Sequence, residues 1–364
     1  MLSAKLSELI IEPHGNKIIP LTIILFKNQH MFKSIVALFA AILLCSSSGL
    51  FAQAGTMKVT DSFHVLSGGG WDYILADTAS NKLYVSHGTQ VNVLDKNTGD
   101  SLGVIPNTNG VHGIALVHSL GKGFTSNGRS NNVTVFDVNT LQVLDSIATG
   151  ENPDAIMYDG YSKKIITCNG RSKNLSIIDP STDKVVTTID VKGKPETAVS
   201  DGDGKIFINN EDKSEIEVVD INADKLINSW SIAPGEAPSG LSIDRETKRL
   251  FAGCDNKLLM VIDATNGKVV THLPIGDGCD GTAFDPALRT VYSSNGEGTL
   301  TVIKEASKNE FEVVANVPTK RGARTLTVDT KSHTIYLPTA NFSAASGNGR
   351  PPMIPGTFQV LVVK

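Results

Sequence analysis

A five-residue signature that returns about every 42 residues constrains this chain more than any other feature. It reads VNVLD ending at Asp95, VTVFD at Asp137, LSIID at Asp179, IEVVD at Asp220 and LMVID at Asp263, followed by two weaker copies, LTVIK at Lys304 and FQVLV at Val362. Seven copies at such a period imply stacked units, each of which can bury its faces only against its neighbours.

One unit, PDAIMYDGYSKKIITCNGRSKNLSIIDPSTDKVVTTIDV, shows what is stacked. Four short runs rich in β-branched residues, DAIMY, KIITC, NLSIID and KVVTTIDV, are separated by Gly, Asn, Asp, Ser and Lys, and none has helical spacing. Four antiparallel strands per repeat make a propeller blade. The seventh repeat stops after its third strand, FQVLVVK, and MKVTDSFHVL near residue 57 resembles the missing outer strand. The expected fold is therefore all-β, a seven-bladed β-propeller with four antiparallel strands per blade, in which an N-terminal strand closes the last blade and removes two open edges.

The 364-residue chain is 40% hydrophobic and 19% charged, with a net charge of -4. It has no basic excess or Lys/Arg run to neutralise phosphates, so nucleic acid is not an expected partner. The strongest apolar segment begins at Met31, carries Lys33, runs unbroken from Ile35 to Leu44 and ends in Ala52-Gln53-Ala54. That is the pattern of a cleaved secretory signal over residues 31–54, and it is too short to span a bilayer. Residues 1–30 read as an overlong start or a disordered extension, and 55–364 as one propeller domain. The expectation is a monomer in the periplasm or outside the cell, with no transmembrane segment after cleavage. Cys168, Cys254 and Cys279 then remain, an odd number, so at least one thiol has no partner within the chain.

The units KLYVSHGTQVNVLDKNTGDSLGVIP and KIITCNGRSKNLSIIDPSTDKVVTTIDVKGKPETAVSD resemble the YVTN-type repeats of the YncE-like β-propellers, over nearly all of residues 57–364. The resemblance implies the propeller fold and no particular reaction. Redox enzymes with related propellers carry their haem or copper ligands in extra domains. This chain has no C-x-x-C-H motif, so haem or copper chemistry is not expected.

Strand direction alternates within a blade, so the entry to the innermost strand and the end of the second strand open on one face. The entries place Asp72, His112, Asp154, Glu196, Ser239, Asp280 and Arg324 at equivalent positions around the channel mouth. The second-strand ends place His87, Asn127, Asn169, Asn210, Cys254, Asn295 and Thr339 farther out. Converging carboxylates repel unless a cation or solvent relieves them. Asp72, Asp154, Glu196 and Asp280 are thus candidate ligands for Ca²⁺ or another divalent cation, and His87 with His112 for Zn²⁺ or Cu²⁺. Independent hydration in a wet funnel is the competing expectation.

Trp71 could stack a ligand ring or pack against its blade neighbour, and Arg129 with Arg171, in NGRSNN and NGRSKN, could hold an anion or be solvated loop charges. The Asn ring, and the Asp that ends each third strand, are expected to bond turn backbone. Cys254 and Cys279 are read as neighbours across a blade seam, as a disulfide, two thiols or metal ligands. The insertion NFSAASGNGRPPMIPGTFQ, with Arg350 and three prolines, falls on the mouth face as a contact or covering loop. Three functions stay open: a binding module for a small polar molecule or an envelope protein, a divalent-metal-dependent hydrolase, lactonase or lyase at the channel, and a surface-layer or adhesion component.

Overall fold

The computed structural model describes residues 57–344 and 351–364. The signal-like segment 31–54, Cys45 and Arg350 lie outside the described residues. Seven four-stranded antiparallel sheets form blades spanning 71–105, 111–148, 153–190, 195–231, 238–274, 279–318 and 327–363. The strand Val59–His64 pairs with Gln359–Val363 and supplies the fourth strand of blade 7, as the repeat arithmetic requires. Among the described residues the only helical turns are His118–Leu120 and Glu211–Lys213, and no helix is long and apolar enough to cross a membrane.

Burial explains the spelling of each strand. A second or third strand is covered on both faces by adjacent blades, so Lys164–Asn169 (KIITCN) is buried at every position after its lysine. An outermost strand has one covered face, and Lys184–Asp190 alternates exposed and half-buried residues until Ile189. Blade 7 meets blade 1 in one core cluster, where Phe63, Val65, Tyr336, Phe358 and Val360 pack on Ile74, Leu83 and Val85.

The innermost strands carry a repeated irregularity. In the first six blades the pairing of the inner with the second strand slips just after the inner strand's first residue, between Trp71 and Ile74, Val111 and Ile114, Pro153 and Ile156, Pro195 and Ala198, Pro238 and Gly240, and Cys279 and Gly281. Such bulges bend a strand and re-aim a side chain. The residues released from the ladder are the ring positions Asp72, His112, Asp154, Glu196, Ser239 and Asp280. Hydroxyls on second strands satisfy the backbone this frees: Ser86 Oγ accepts from the Asp72 N–H at 3.0 Å and donates to Tyr73 O at 2.8 Å.

Candidate functional site

The entry ring is knit into one belt by side chains that cross blade seams. Thr197 Oγ1 donates to Ser239 O at 2.6 Å, Ser239 Oγ to Cys279 O at 2.7 Å, and Thr325 Oγ1 to Asp72 O at 2.7 Å. Ser126 Oγ likewise donates to Asp154 O. These bonds hold the ring side chains at fixed separations.

The residue after each ring position is small in six blades, Gly113, Ala155, Thr197, Gly240, Gly281 and Thr325, and large in one, Tyr73. Tyr73 uses the space. It packs against the blade 3 and 4 cluster that contains Ala155 and Ala198, and its hydroxyl stands 3.3 Å from Thr197 Oγ1 on the far side of the ring. The Thr197 hydrogen is already given to Ser239 O, so Tyr73 is the donor. The tyrosine thus lies across the channel. Sequence reasoning missed it, although one aromatic among six small residues was a readable signal.

Above Tyr73 the charges alternate around the ring from Asp280 to Asp154. Arg324 Nε donates to Asp280 Oδ2 at 2.6 Å, and its Nη2 reaches Asp72 Oδ1 at 3.4 Å. His112 Nδ1 lies 2.5 Å from the other Asp72 oxygen and 3.6 Å from Asp154 Oδ1. Lys194 Nζ pairs with Glu196 Oε2 at 2.9 Å and with Glu211. Lys194 also escaped sequence reasoning, because it precedes Glu196 on the same blade while the ring was read as one residue per blade.

The order is Asp280, Arg324, Asp72, His112, Asp154, Glu196, with Ser239 completing the circle. Cations that the chain itself supplies therefore relieve most of the repulsion expected among the carboxylates. Asp154 is the exception: it is 7% exposed, and its Oδ1 has no hydrogen-bond partner.

The electrostatics follow from these neighbours. Burial depresses the His112 imidazole, but the hydrogen bond it donates to Asp72 and the charges of Asp154, Asp72 and Glu196 outweigh it and hold it up to about 9. Burial first, then the charge of Asp72, raises the Asp154 carboxyl; burial, then Asp154, raises Glu196. Asp280 is raised by burial and by Asp72, with Arg324 opposing.

A cavity of about 640 Å³ opens beside this ring on the side of blades 5 to 7. Ser239, Asp280 and Arg324 belong to both, and Trp71, Arg321 and Phe342 form other parts of its wall. Trp71 does pack, at 5.3 Å from Phe358 and 6.0 Å from Phe342 between ring centroids, and it also lines the cavity. The inserted loop reaches the mouth face as expected, since Phe342 and Pro351 line the same cavity.

Several ring assignments need correction. His87 is fully buried and stacked on Phe358 at 3.9 Å. Its Nε2 donates to Gly69 O at 2.9 Å and its Nδ1 accepts from Ser67 Oγ at 2.5 Å, so it anchors the Ser67–Gly70 loop and joins no site with His112. Burial lowers its basicity, in keeping with a neutral ring.

The Asn ring does not bond turn backbone. Asn169 is fully buried; its amide donates to Asn174 Oδ1 and Ser176 Oγ at 2.9 Å each and accepts from Thr167 Oγ1, all strand side chains, and Asn295 repeats the pattern. The third-strand aspartates do hold their turns: Asp137 Oδ1 accepts from the N–H of Asn139 and Thr140, and Asp263 from that of Thr265. Arg129 and Arg171 are exposed, and neither joins an ion pair among the described residues.

Cys168, Cys254 and Cys279 are buried free thiols. Of the three readings of Cys254 and Cys279 the structure has two separate thiols: Cys279 Sγ takes the Ser293 hydroxyl at 3.2 Å and Cys254 Sγ faces Ala252 O. Burial pushes Cys254 up to about 12 and Cys279 up to about 11, which starves both of thiolate. Iodoacetamide at pH 8 is therefore expected to leave all three unlabelled in the native protein and to label all three in guanidinium, as read by peptide mass spectrometry. A linked 254–279 peptide pair would contradict this arrangement.

Residues 78–204 match the family model of the YNCE-like beta-propeller, and the blades beyond that span repeat the same four-stranded unit. Over that span the sequence is that of a YNCE-like beta-propeller, and the whole described chain is a seven-bladed propeller. Among solved structures, the chain is similar to Kuenenia stuttgartiensis hydrazine synthase, at 16% identity and TM-score 0.66 over 75% of this chain and 94% of that one. It is also similar to the RRP9 WD40 repeats (10% identity, TM-score 0.69) and to U3-55K (10%, 0.68), each over 85% of this chain and 98% of the other. Likeness at these identities shows the fold alone. No curated protein matches the sequence.

Proposed function

We propose that this YncE-like propeller is a non-catalytic binding module, acting outside the cytoplasm, that takes a small polar ligand at the channel mouth. The observation that carries this reading is the 640 Å³ cavity, which shares Ser239, Asp280 and Arg324 with a ring of buried, fixed charges. Concave sites that pair aromatic walls with a few convergent polar groups are where small molecules bind. The belt of seam-crossing hydrogen bonds pre-organises those groups, so little ordering cost falls on binding. The placement outside the cytoplasm is supported by the signal-like segment from Met31 to Ala54.

A thermal-shift screen of polar metabolites tests the reading. Ligands that raise the melting temperature of the intact protein should bind at least tenfold more weakly to Arg324→Gln and to Phe342→Ala. A hit whose affinity survives both changes binds elsewhere.

A second reading, a divalent-metal enzyme, draws on Asp72, His112 and Asp154, whose ligand atoms lie within 4.8 Å of one another. Geometry favours the first reading. Ligands about 2.0 Å from a tetrahedral ion stand roughly 3.3 Å apart, whereas His112 Nδ1 and Asp72 Oδ2 are at 2.5 Å, a hydrogen-bond distance. His112 already occupies the cation's place. Dialysis against EDTA is expected to leave the melting temperature unchanged; a fall of several degrees that Ca²⁺ or Zn²⁺ restores would favour the enzyme.

A further inference from the structure

We propose that the mouth recognises the ammonium group of an alkylamine, seated against the carboxylates of Asp154 and Glu196. The inference rests on the reading of the mouth as a ligand site and names the chemistry of the ligand.

Four ring carboxylates, Asp72, Asp154, Glu196 and Asp280, face three cations, Arg324, His112 and Lys194. The alternation of sign fails at one place, between blades 3 and 4, where Asp154 is followed by Glu196. Every other ring carboxylate has a cation within 2.9 Å, whereas the nearest cation to Asp154 Oδ1 is His112 Nδ1 at 3.6 Å, beyond hydrogen-bond reach. That oxygen is buried and unpartnered, which costs free energy unless a donor arrives. Tyr73 lies across the channel below it, so the mouth is the open approach.

Charge and geometry select the donor. One positive charge completes the alternation. A carboxylate oxygen accepts from N–H at about 2.8 Å, and an alkylammonium brings three N–H donors with it. Ser239, whose hydroxyl hydrogen goes to Cys279 O, keeps open lone pairs on the wall of the adjoining cavity, which can take the rest of the ligand. A divalent ion would need the His112 nitrogen that Asp72 already holds. The raised Asp154 and Glu196 carboxyls fit the same picture, because burial beside another carboxylate leaves both short of positive charge.

Calorimetric titration of the full chain with n-butylammonium chloride and 1,4-diaminobutane, against 1-butanol and sodium butyrate, tests this. Both amines are expected to bind and the neutral and anionic isosteres not to. Asp154→Asn, which preserves shape and removes a buried charge, should weaken the amines at least tenfold, and Glu196→Gln should weaken them in a second background. Asp145→Asn on an exposed outer strand should change nothing.

Equal binding of butanol, unchanged affinity in both mouth variants, or EDTA-reversible binding of Zn²⁺ or Ca²⁺ that depends on Asp154 would each overturn the inference. A polar metabolite that binds through Arg324 while every amine fails would overturn the ammonium proposal and leave the mouth as the ligand site.

Discussion

A chain that begins at Ser67, and so lacks the strand Val59–His64, is expected to show no single cooperative thermal transition. The lost strand gives blade 7 its fourth member and pairs along Gln359–Val363. Its removal opens that edge to other chains, a recognised aggregation hazard. It also strips Phe63 and Val65, 5% and 3% exposed, from the cluster that joins blades 7 and 1. Two buried apolar side chains are worth about 1.5–3 kcal/mol each, and the ladder adds its own hydrogen bonds, against a total stability of about 5–15 kcal/mol for a typical protein.

A propeller is also a ring, and its blades are covered only by their neighbours, so a loosened last blade exposes a face of the first. Circular dichroism melts should show a broad, irreversible loss of signal, and a synthetic peptide of residues 57–66 should restore a sharp transition. Phe63→Ala gives the graded version, a loss of about 3–5 kcal/mol in urea titration. A truncated chain that melts like the intact one would mean that the ring closes without this strand.

Stability is expected to fall as pH rises from about 6 to 10, and the mouth is the cause. His112 faces Asp72, Asp154 and Glu196, which hold its folded-state pKa at about 9 against an ordinary 6.5. A raised imidazole contributes stability that is full below 6.5 and lost as pH passes about 9. Moving it that far corresponds to on the order of 3 kcal/mol. Asp154, Glu196 and Asp280 act in the same direction. Their folded forms hold protons more tightly than the unfolded chain does, so ionisation above the ordinary carboxylate range costs the folded state.

At the acid end the sign reverses. Turn and seam carboxylates such as Asp159, Asp263 and Asp329 are held below their ordinary range by serine, threonine, lysine or backbone donors, and they lose that stabilisation when protonated. Urea midpoints at constant ionic strength should therefore peak near pH 5–6 and decline toward pH 10. His112→Gln should flatten the alkaline limb. A wild-type profile that is level or rising between pH 6 and 9 would show that the ring charges are not coupled as described.

The architecture was legible because the repeat is nearly regular and its last copy lacks one strand, which made even the closing strand predictable. The positions of the ring were legible for the same reason: equivalent residues sit at equivalent bulges. What those residues do to one another was not. Lys194 and Tyr73 stand outside the one-residue-per-blade pattern, and they decide the charge balance and the crossing of the channel. His87 sits where the pattern says, but the Ser67–Gly70 loop and Phe358 cover it. The second-strand asparagines look like turn residues in a linear string, yet the stacking of blades buries them, and the buried amides of Asn169 and Asn295 take the partners within reach, here Thr, Ser and Asn of the same sheet.

A crystal structure of the protein with a bound amine tests the central claim most directly. The account predicts the ligand nitrogen within about 3 Å of Asp154 Oδ1, with the remainder of the molecule in the cavity lined by Ser239, Asp280 and Arg324. A ligand found instead at the opposite end of the channel, among Leu75, Ile114 and Met157, would contradict it.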